Sequence, residues 1–137
     1  MLAIGGVKET SLYVADIERA RAFYRDLFEL KVLAEDSRFI ALDVAGEQVL
    51  LLFKRGSTLN EVKLPGGTIP AHDGSGSIHL GFSVRKGDIA EWRERLGKHG
   101  VAIESTMNWP RGGQSLYFRD PDGHLLELLT PGVWETY

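Results

Sequence analysis

Hydrophobic and polar residues near the start of the chain follow patterns that predict a strand, a helix and three more strands. Residues Glu9–Val14 alternate with a period of two, as a half-buried strand requires. Apolar residues then recur at helical spacing from Ile17 to Leu30, and Asp16 stands before them as a candidate N-cap. The pattern predicts three further strands, over Lys31–Leu33, Phe39–Val44 and Gln48–Phe53.

The same order of elements returns after a long connection. Residues Lys54–Ser77 are rich in Gly and Pro and show little periodicity, which indicates either a functional loop or a linker. Residues Ile78–Val84 alternate as a strand, and a second amphipathic helix begins near Asp88 and ends at Gly100. Three strands are predicted after this helix, over Val101–Glu104, Ser115–Arg119 and Leu125–Thr130.

The two halves of the chain therefore form a predicted tandem repeat of one βαβββ unit. At 137 residues the chain is long enough for one domain with a hydrophobic core and too short for two large ones. We expect a single α+β domain over residues 1–137, with module one at about 5–56, a linker or loop at about 57–76 and module two at about 77–133.

The repeat aligns Glu9 with His79 and Leu51 with Glu127, all on the sheet face that is expected to lie opposite the helices. Glu127 is notable because it is a carboxylate in the middle of the apolar strand LLELL. Such a group is costly to bury unless it meets a metal, a cation or a hydrogen-bond donor. The alternative is that Glu127 faces water on the solvated side of an antiparallel sheet.

Composition and charge exclude several classes of protein. The chain has 43% apolar and 26% charged residues, which is ordinary for a globular domain. With a net charge of -3 and scattered Lys and Arg residues, it has no basic patch for a nucleic-acid backbone. No apolar run is long enough to cross a membrane and no signal segment is found, so we expect a cytoplasmic protein. The absence of cysteine excludes disulfides, thiolate metal sites and Cys nucleophiles.

Two stretches carry a resemblance to a known family: SLYVADIERARAFYRDLFEL near the start and SLYFRDPDGHLLELLTP at the end. In these stretches and in its repeat, the chain resembles the vicinal oxygen chelate superfamily, which includes glyoxalase I, fosfomycin-resistance proteins, extradiol dioxygenases and bleomycin-binding proteins. The resemblance covers essentially the whole chain. It implies two βαβββ modules in tandem, whose mixed and antiparallel strands form a curled sheet around a cleft, with helices outside and a divalent metal inside. It also implies a homodimer.

In this family the metal ligands come from the first and last strands of each module, which correspond here to Glu9, Leu51, His79 and Glu127. Leu51 cannot bind a metal, so the resemblance implies a set of Glu9, His79 and Glu127. Taken singly, His79 also fits a structural histidine, and Glu9 fits a surface residue. Two carboxylates facing one cleft would, however, repel each other without a cation. One imidazole and two carboxylates suit Mn, Fe(II), Zn, Ni or Co.

The expected concave face would also provide a pocket with few polar groups. Such a pocket suits a small hydrophobic or aromatic substrate, although the same residues are compatible with the core. Arg111, in a Gly-rich loop, is a candidate contact for an anionic substrate group. The predicted pocket residues are Tyr13, Phe39, Leu51, Phe53, Trp109, Arg111 and Tyr117.

Two functions are compatible with these residues. The first is a glyoxalase-like, metal-dependent lyase or isomerase that acts on a small substrate with vicinal oxygens, with Glu9 or Glu127 as the catalytic base. The second is a metal-free protein that binds an aromatic, antibiotic-like molecule, which the gap at Leu51 favours. Ring-cleaving dioxygenase chemistry ranks below both because the second His ligand is absent.

Three further histidines are assigned to structural positions. His72, in the long connection, is expected in a turn, with a position in a lid over the cleft as the alternative. His124, beside the last hairpin turn, is expected to face solvent. His99 is expected to make a favourable contact with the end of the second helix.

Overall fold

The chain folds into two compact units, Met1–Ser75 and Gly76–Tyr137, in a computed structural model that describes all residues from Met1 to Tyr137. Each unit contains one βαβββ module, so the predicted fold class of tandem α+β modules is confirmed. That both units belong to one domain stays a prediction.

Module one is a four-stranded sheet with one helix packed on it. Its elements are β1 (Glu9–Val14), α1 (Ile17–Phe28), β2 (Val32–Glu35), β3 (Phe39–Val44) and β4 (Gln48–Lys54). The strand order is β1-β4-β3-β2, in which β1 runs parallel to β4 and the other neighbours are antiparallel. Asp16 Oδ1 accepts a hydrogen bond from the Arg19 N–H at 3.1 Å, so the predicted N-cap of α1 is confirmed.

The core of module one lies between this sheet and α1. The helix contributes Ala20, Tyr24 and Leu27 to it. The strand residues that are at most 2% exposed alternate along β1, β3 and β4 and are Leu12, Val14, Ile40, Leu42, Leu50 and Leu52. Because successive side chains of a strand point to opposite faces, Glu9 and Leu51 lie on the face opposite α1, as the alternation predicts.

The long connection contains a small hairpin that the sequence analysis did not predict. It consists of β5 (Val62–Leu64) and β6 (Gly67–Ile69), which pair antiparallel around Pro65 and Gly66. Each strand is three residues long, which is too short for an alternating pattern to be recognised.

Module two repeats the arrangement of module one. Its elements are β7 (His79–Ser83), a 3-10 turn (Lys86–Asp88), α2 (Ile89–Lys98), β8 (Ser105–Asn108), β9 (Gln114–Arg119) and β10 (Leu125–Leu129). The strand order is β7-β10-β9-β8, with β7 parallel to β10. Leu126 and Leu128 are fully buried in the core, so Glu127 lies on the opposite face of β10. Neither helix has the length and apolar character that crossing a membrane requires.

One local prediction for module two is wrong. The strand predicted over Val101–Glu104 lies instead at Ser105–Asn108. This strand is at the edge of its sheet and all its side chains are exposed, so no apolar alternation marks it. The helix α2 begins after Asp88, as predicted, but the Asp88 side chain makes no capping hydrogen bond and instead accepts one from Arg85 Nε at 2.7 Å.

The strand registers support the residue alignment of the repeat. The residues that face each other in the two parallel ladders are Glu9 with Val49, Ser11 with Leu51, His79 with Leu125 and Gly81 with Glu127. Glu9 and His79 therefore occupy equivalent positions, and so do Leu51 and Glu127. Module two has an ionisable side chain at both positions, whereas module one has one at the first position only.

Candidate functional site

The adjacent parallel strands β7 and β10 bring His79 and Glu127 together. His79 Nε2 lies 3.1 Å from Glu127 Oε1. The Glu127 residue is only 7% exposed, whereas the His79 side chain is 51% exposed. The pair thus joins a buried carboxylate to an imidazole that solvent or a ligand can reach.

The second oxygen of Glu127 is held by a chain of hydrogen bonds. The Ser115 hydroxyl donates to Glu127 Oε2 at 2.5 Å, and the Trp109 Nε1–H donates to the Ser115 oxygen at 2.8 Å. Ser115 is fully buried. These donors satisfy the carboxylate away from water and fix its orientation.

The contact made by His79 Nδ1 determines which ring nitrogen carries a proton. Nδ1 lies 2.9 Å from the Leu125 carbonyl oxygen, which only accepts, so Nδ1 carries a proton. Nε2 then faces the Glu127 carboxylate either with a second proton or with its lone pair. A lone pair beside a carboxylate is favourable where a cation binds both atoms. A carbonyl that holds the outer N–H is also the usual partner of a metal-bound histidine, so the pair fits a metal ion.

Glu9, the third predicted ligand, lies in the other unit. It is exposed, and its carboxylate takes part in no ion pair or side-chain hydrogen bond of the chain. No group of three or more His, Cys, Asp or Glu side chains that could hold a metal occurs in the single chain. The structure thus brings together two of the three predicted ligands, His79 and Glu127, and the complete set stays a prediction.

Four of the seven predicted pocket residues line one cavity of module one. The cavity has a volume of 770 Å³ and lies on the sheet face opposite α1, next to Glu9. The four predicted residues that line it are Tyr13, Phe39, Leu51 and Phe53. Leu51, at the position equivalent to Glu127, thus contributes an apolar surface where module two has a carboxylate.

The other three predicted pocket residues belong to module two. The Tyr117 ring lies 6.3 Å from the His79 ring, and burial together with the negative charge of Glu127 raises the pKa of Tyr117. Trp109 reaches Glu127 through Ser115. Arg111 is exposed in the turn between β8 and β9. The predicted pocket is therefore divided between the two units.

The structure also places the three remaining histidines. His72 lines the cavity of module one, and its Nδ1 lies 2.5 Å from the Tyr13 hydroxyl. No sequence pattern pointed to this contact, because the Gly- and Pro-rich connection has no period that orients a side chain. His124 is fully buried and accepts a hydrogen bond from the Ile78 N–H at 2.9 Å, so the expected solvent position is wrong. His99 bonds the Arg95 carbonyl at the end of α2, as predicted.

Comparison with known proteins identifies similar chains over nearly the full length. Residues 6–128 match the Glyoxalase/Bleomycin resistance protein/Dioxygenase superfamily. A metallothiol transferase, FosB, from Staphylococcus saprophyticus is 27% identical over 128 residues, which cover 93% of this chain and 78% of the relative. The metal in that name agrees with the divalent cofactor expected from the sequence.

Solved structures of the same superfamily are also similar. The crystal structure of lactoylglutathione lyase from Agrobacterium tumefaciens is 31% identical, with a TM-score of 0.87, and the match covers 96% of this chain and 98% of that one. The fosfomycin resistance protein FosX from Mesorhizobium loti is 25% identical, with a TM-score of 0.65 and 93% of each chain covered. With the tandem modules and the family match together, the chain belongs to the glyoxalase/bleomycin resistance protein/dioxygenase superfamily.

Proposed function

We propose that the protein is a divalent-metal-dependent enzyme, a glyoxalase-like lyase or isomerase that acts on a small substrate with vicinal oxygens. The observation that carries this proposal is the contact between His79 Nε2 and Glu127 Oε1 at 3.1 Å. Its geometry suits two metal ligands, because the outer ring nitrogen and the outer carboxylate oxygen are already hydrogen-bonded within the protein.

The three proposed ligands would have different roles in the reaction. His79, Glu127 and Glu9 would hold the ion, which when bound would supply Lewis-acid stabilisation of an oxyanion. Glu127 is held by the hydrogen bond from Ser115, so it suits a metal ligand that stays in place during the reaction. Glu9 is exposed and has no ion pair, so it is the carboxylate better able to move and to accept or return a substrate proton.

Leu51 distinguishes this site from a four-ligand one. With an apolar side chain at the position equivalent to Glu127, module one provides one ligand instead of two. Three protein ligands leave open positions at a metal such as Mn, Fe(II), Zn, Ni or Co for two oxygens of a substrate.

Metal titration tests this proposal. Protein treated with a chelator and then titrated calorimetrically with each divalent ion is expected to bind one ion per site. His79→Ala and Glu127→Gln are each expected to weaken binding by about tenfold or more. His99→Ala, a histidine outside the site, serves as the matched control. A wild-type protein that binds none of the ions would reject the proposal.

The relatives' names suggest which activities to assay. The metal-loaded protein would be tested for lyase activity on lactoylglutathione and for transfer of a thiol, with fosfomycin as a candidate acceptor. Activity that needs the ion and is lost in Glu9→Gln, while metal binding is partly retained, would support Glu9 as the base. Lyase activity would favour the proposed reaction class, whereas thiol transfer alone would replace it.

A second candidate is a metal-free protein that binds an aromatic, antibiotic-like molecule. The aromatic cavity of module one, with Leu51 in its lining, favours this function. Thermal shift separates the two candidates. Stabilisation by aromatic compounds without metal, combined with no response to divalent ions, would favour the binding protein.

A further inference from the structure

His124 is a buried histidine to which the proposed metal chemistry gives no role. It is fully buried and directly precedes β10, at the end of the turn that follows β9. Its Nδ1 accepts a hydrogen bond from the backbone N–H of Ile78 at 2.9 Å. Because that amide can only donate, Nδ1 presents a lone pair and carries no proton. The His124 ring is therefore an acceptor for the residue that directly precedes His79.

Ile78 is held on its carbonyl side as well. The Leu125 N–H donates to the Ile78 carbonyl at 2.8 Å. The Leu125 carbonyl in turn accepts a hydrogen bond from His79 Nδ1 at 2.9 Å. The neighbouring residues His124 and Leu125 thus fix both backbone groups of Ile78 and the ring of His79.

The start of β7 depends on these bonds. β7 is an edge strand whose one neighbour in the sheet is β10, and His79 is its first residue. Residues 70–78, which precede it, contain no helix or strand. The ends of such elements open more readily than their centres unless hydrogen bonds and packing tie them down. The position of His79 therefore depends on how firmly Ile78 is held.

The turn before β10 fixes the His124 ring in the absence of any ligand. Asp120 is 5% exposed, and its Oδ1 accepts hydrogen bonds from the His124 N–H at 2.8 Å and from the Asp122 N–H at 3.0 Å. Gly123 has a φ of 82°, in the left-handed region that favours glycine. The acceptor for Ile78 is thus in place before an ion binds.

Module one lacks the equivalent side-chain bond. Its backbone bond is the same, since the Val49 N–H donates to the Lys8 carbonyl at 2.8 Å. At the position equivalent to His124, however, module one has Gln48, which is exposed and whose side chain makes no hydrogen bond within the chain. The repeated fold therefore does not require the side-chain bond. The bond occurs in the module that contains the His79–Glu127 pair.

We propose that His124 is a positioning residue of the candidate metal site, which holds the start of β7 through the Ile78 N–H so that His79 faces Glu127. This inference rests on the proposed function, because it concerns the same pair of ligands. His124 acts through the backbone of Ile78 and is not itself a ligand.

Three substitutions of His124 separate its hydrogen bond from its packing. His124→Asn keeps an acceptor, because the Asn side-chain oxygen can occupy the place of Nδ1. His124→Gln carries its oxygen one bond further out, nearer to the place of Nε2, and His124→Leu has no acceptor. All three change the shape of a fully buried side chain, so each is expected to lower the free energy of unfolding. Retention of metal affinity is expected in His124→Asn only.

Calorimetric titration with Mn²⁺ and with Zn²⁺ measures the metal affinity. His124→Leu and His124→Gln are expected to bind each ion about tenfold more weakly than the wild type, which is the lower end of the range for residues that orient metal ligands. His124→Asn is expected to stay within about twofold of the wild type. Leu96→Val, a substitution in the core under α2, is the matched control, which should lose stability in urea unfolding but keep its affinity.

Amide hydrogen exchange on metal-free protein provides a readout that needs no ion. If the start of β7 opens, the Leu125 N–H loses its bond to the Ile78 carbonyl. Its exchange, relative to the amides of β9, is expected to be about tenfold faster in His124→Leu and His124→Gln. The same ratio should be unchanged in His124→Asn and in Leu96→Val, because neither substitution removes the acceptor for Ile78.

Two results of the titration would overturn the proposal. These are wild-type affinity in folded His124→Leu protein, and a loss of affinity in His124→Asn as large as that in His124→Leu. If the wild type binds neither ion, the metal proposal fails and the exchange experiment decides the role of His124. Faster Leu125 exchange in His124→Leu, restored in His124→Asn, would then support His124 as the residue that holds β7, and unchanged exchange would reject it.

Discussion

Glu127 is a charged residue in an apolar strand, and its neighbours explain how the fold tolerates it. Ser115 donates to one carboxylate oxygen, and His79 Nε2 lies within hydrogen-bond distance of the other. Trp109 in turn orients Ser115. With 7% of the residue exposed, the hypothesis that Glu127 is a solvated surface residue is wrong. A carboxylate held in this way is already oriented to bind a cation at the oxygen that faces His79.

The hydroxyl of Ser115 should tune the metal affinity through Glu127. Ser115→Ala leaves Glu127 Oε2 and the Trp109 N–H without their shared partner, so we expect about tenfold weaker metal binding and a loss of about 1–3 kcal/mol of stability. Calorimetric metal titration and urea unfolding measure the two effects. Ser115→Thr, which keeps the hydroxyl, should recover affinity, and exposed Ser83→Ala is the control. Unchanged affinity in Ser115→Ala would show that this hydrogen bond does not position Glu127.

At the scale of elements, the parallel pairing of the first and last strand of each module creates the candidate sites. The pairing of β7 with β10 places His79 within reach of Glu127. The turn before β9 is held by a close backbone contact, since a Cβ atom on Gly113 would lie 2.5 Å from the carbonyl carbon of Gly132. That contact helps to place Trp109, whose backbone N–H donates to the Gly113 carbonyl at 2.8 Å.

The N-cap of α1 should contribute measurably to stability. Asp16→Ala removes the hydrogen bond to the Arg19 N–H and is expected to lower the free energy of unfolding by about 1 kcal/mol. Asp26→Ala, an exposed aspartate within the helix, is the matched control and should change stability less. Urea unfolding followed by circular dichroism gives both values. Equal stability losses in the two variants would mean that the cap is not the cause.

At the scale of the whole molecule, the proposed ligands are divided between the two units. Glu9 belongs to Met1–Ser75, while His79 and Glu127 belong to Gly76–Tyr137. We predict a homodimer in which Glu9 of one chain completes the His79–Glu127 pair of the other. Such an isologous arrangement would form two identical sites per dimer.

Mixing two inactive variants tests whether the site is shared. Glu9→Ala and His79→Ala homodimers should each bind metal weakly. After dissociation and reassociation together, mixed dimers would contain one intact site, so metal binding should reappear in about half of their sites. Light scattering checks the dimer itself. Failure to recover binding in mixed dimers would place each site within one chain, and a monomer at micromolar concentration would contradict the dimer.

The sequence by itself determined the modules, most of their strands and both helices, because hydrophobic periodicity is a local property that the core requires. It also aligned Glu9 with His79 and Leu51 with Glu127, since the same period sets which face a side chain occupies. Only the tertiary structure decided that Ser115 and Trp109 support Glu127, and that His72 contacts Tyr13. Those contacts depend on strand register and on the path of an aperiodic connection, which are set by residues far apart in the chain.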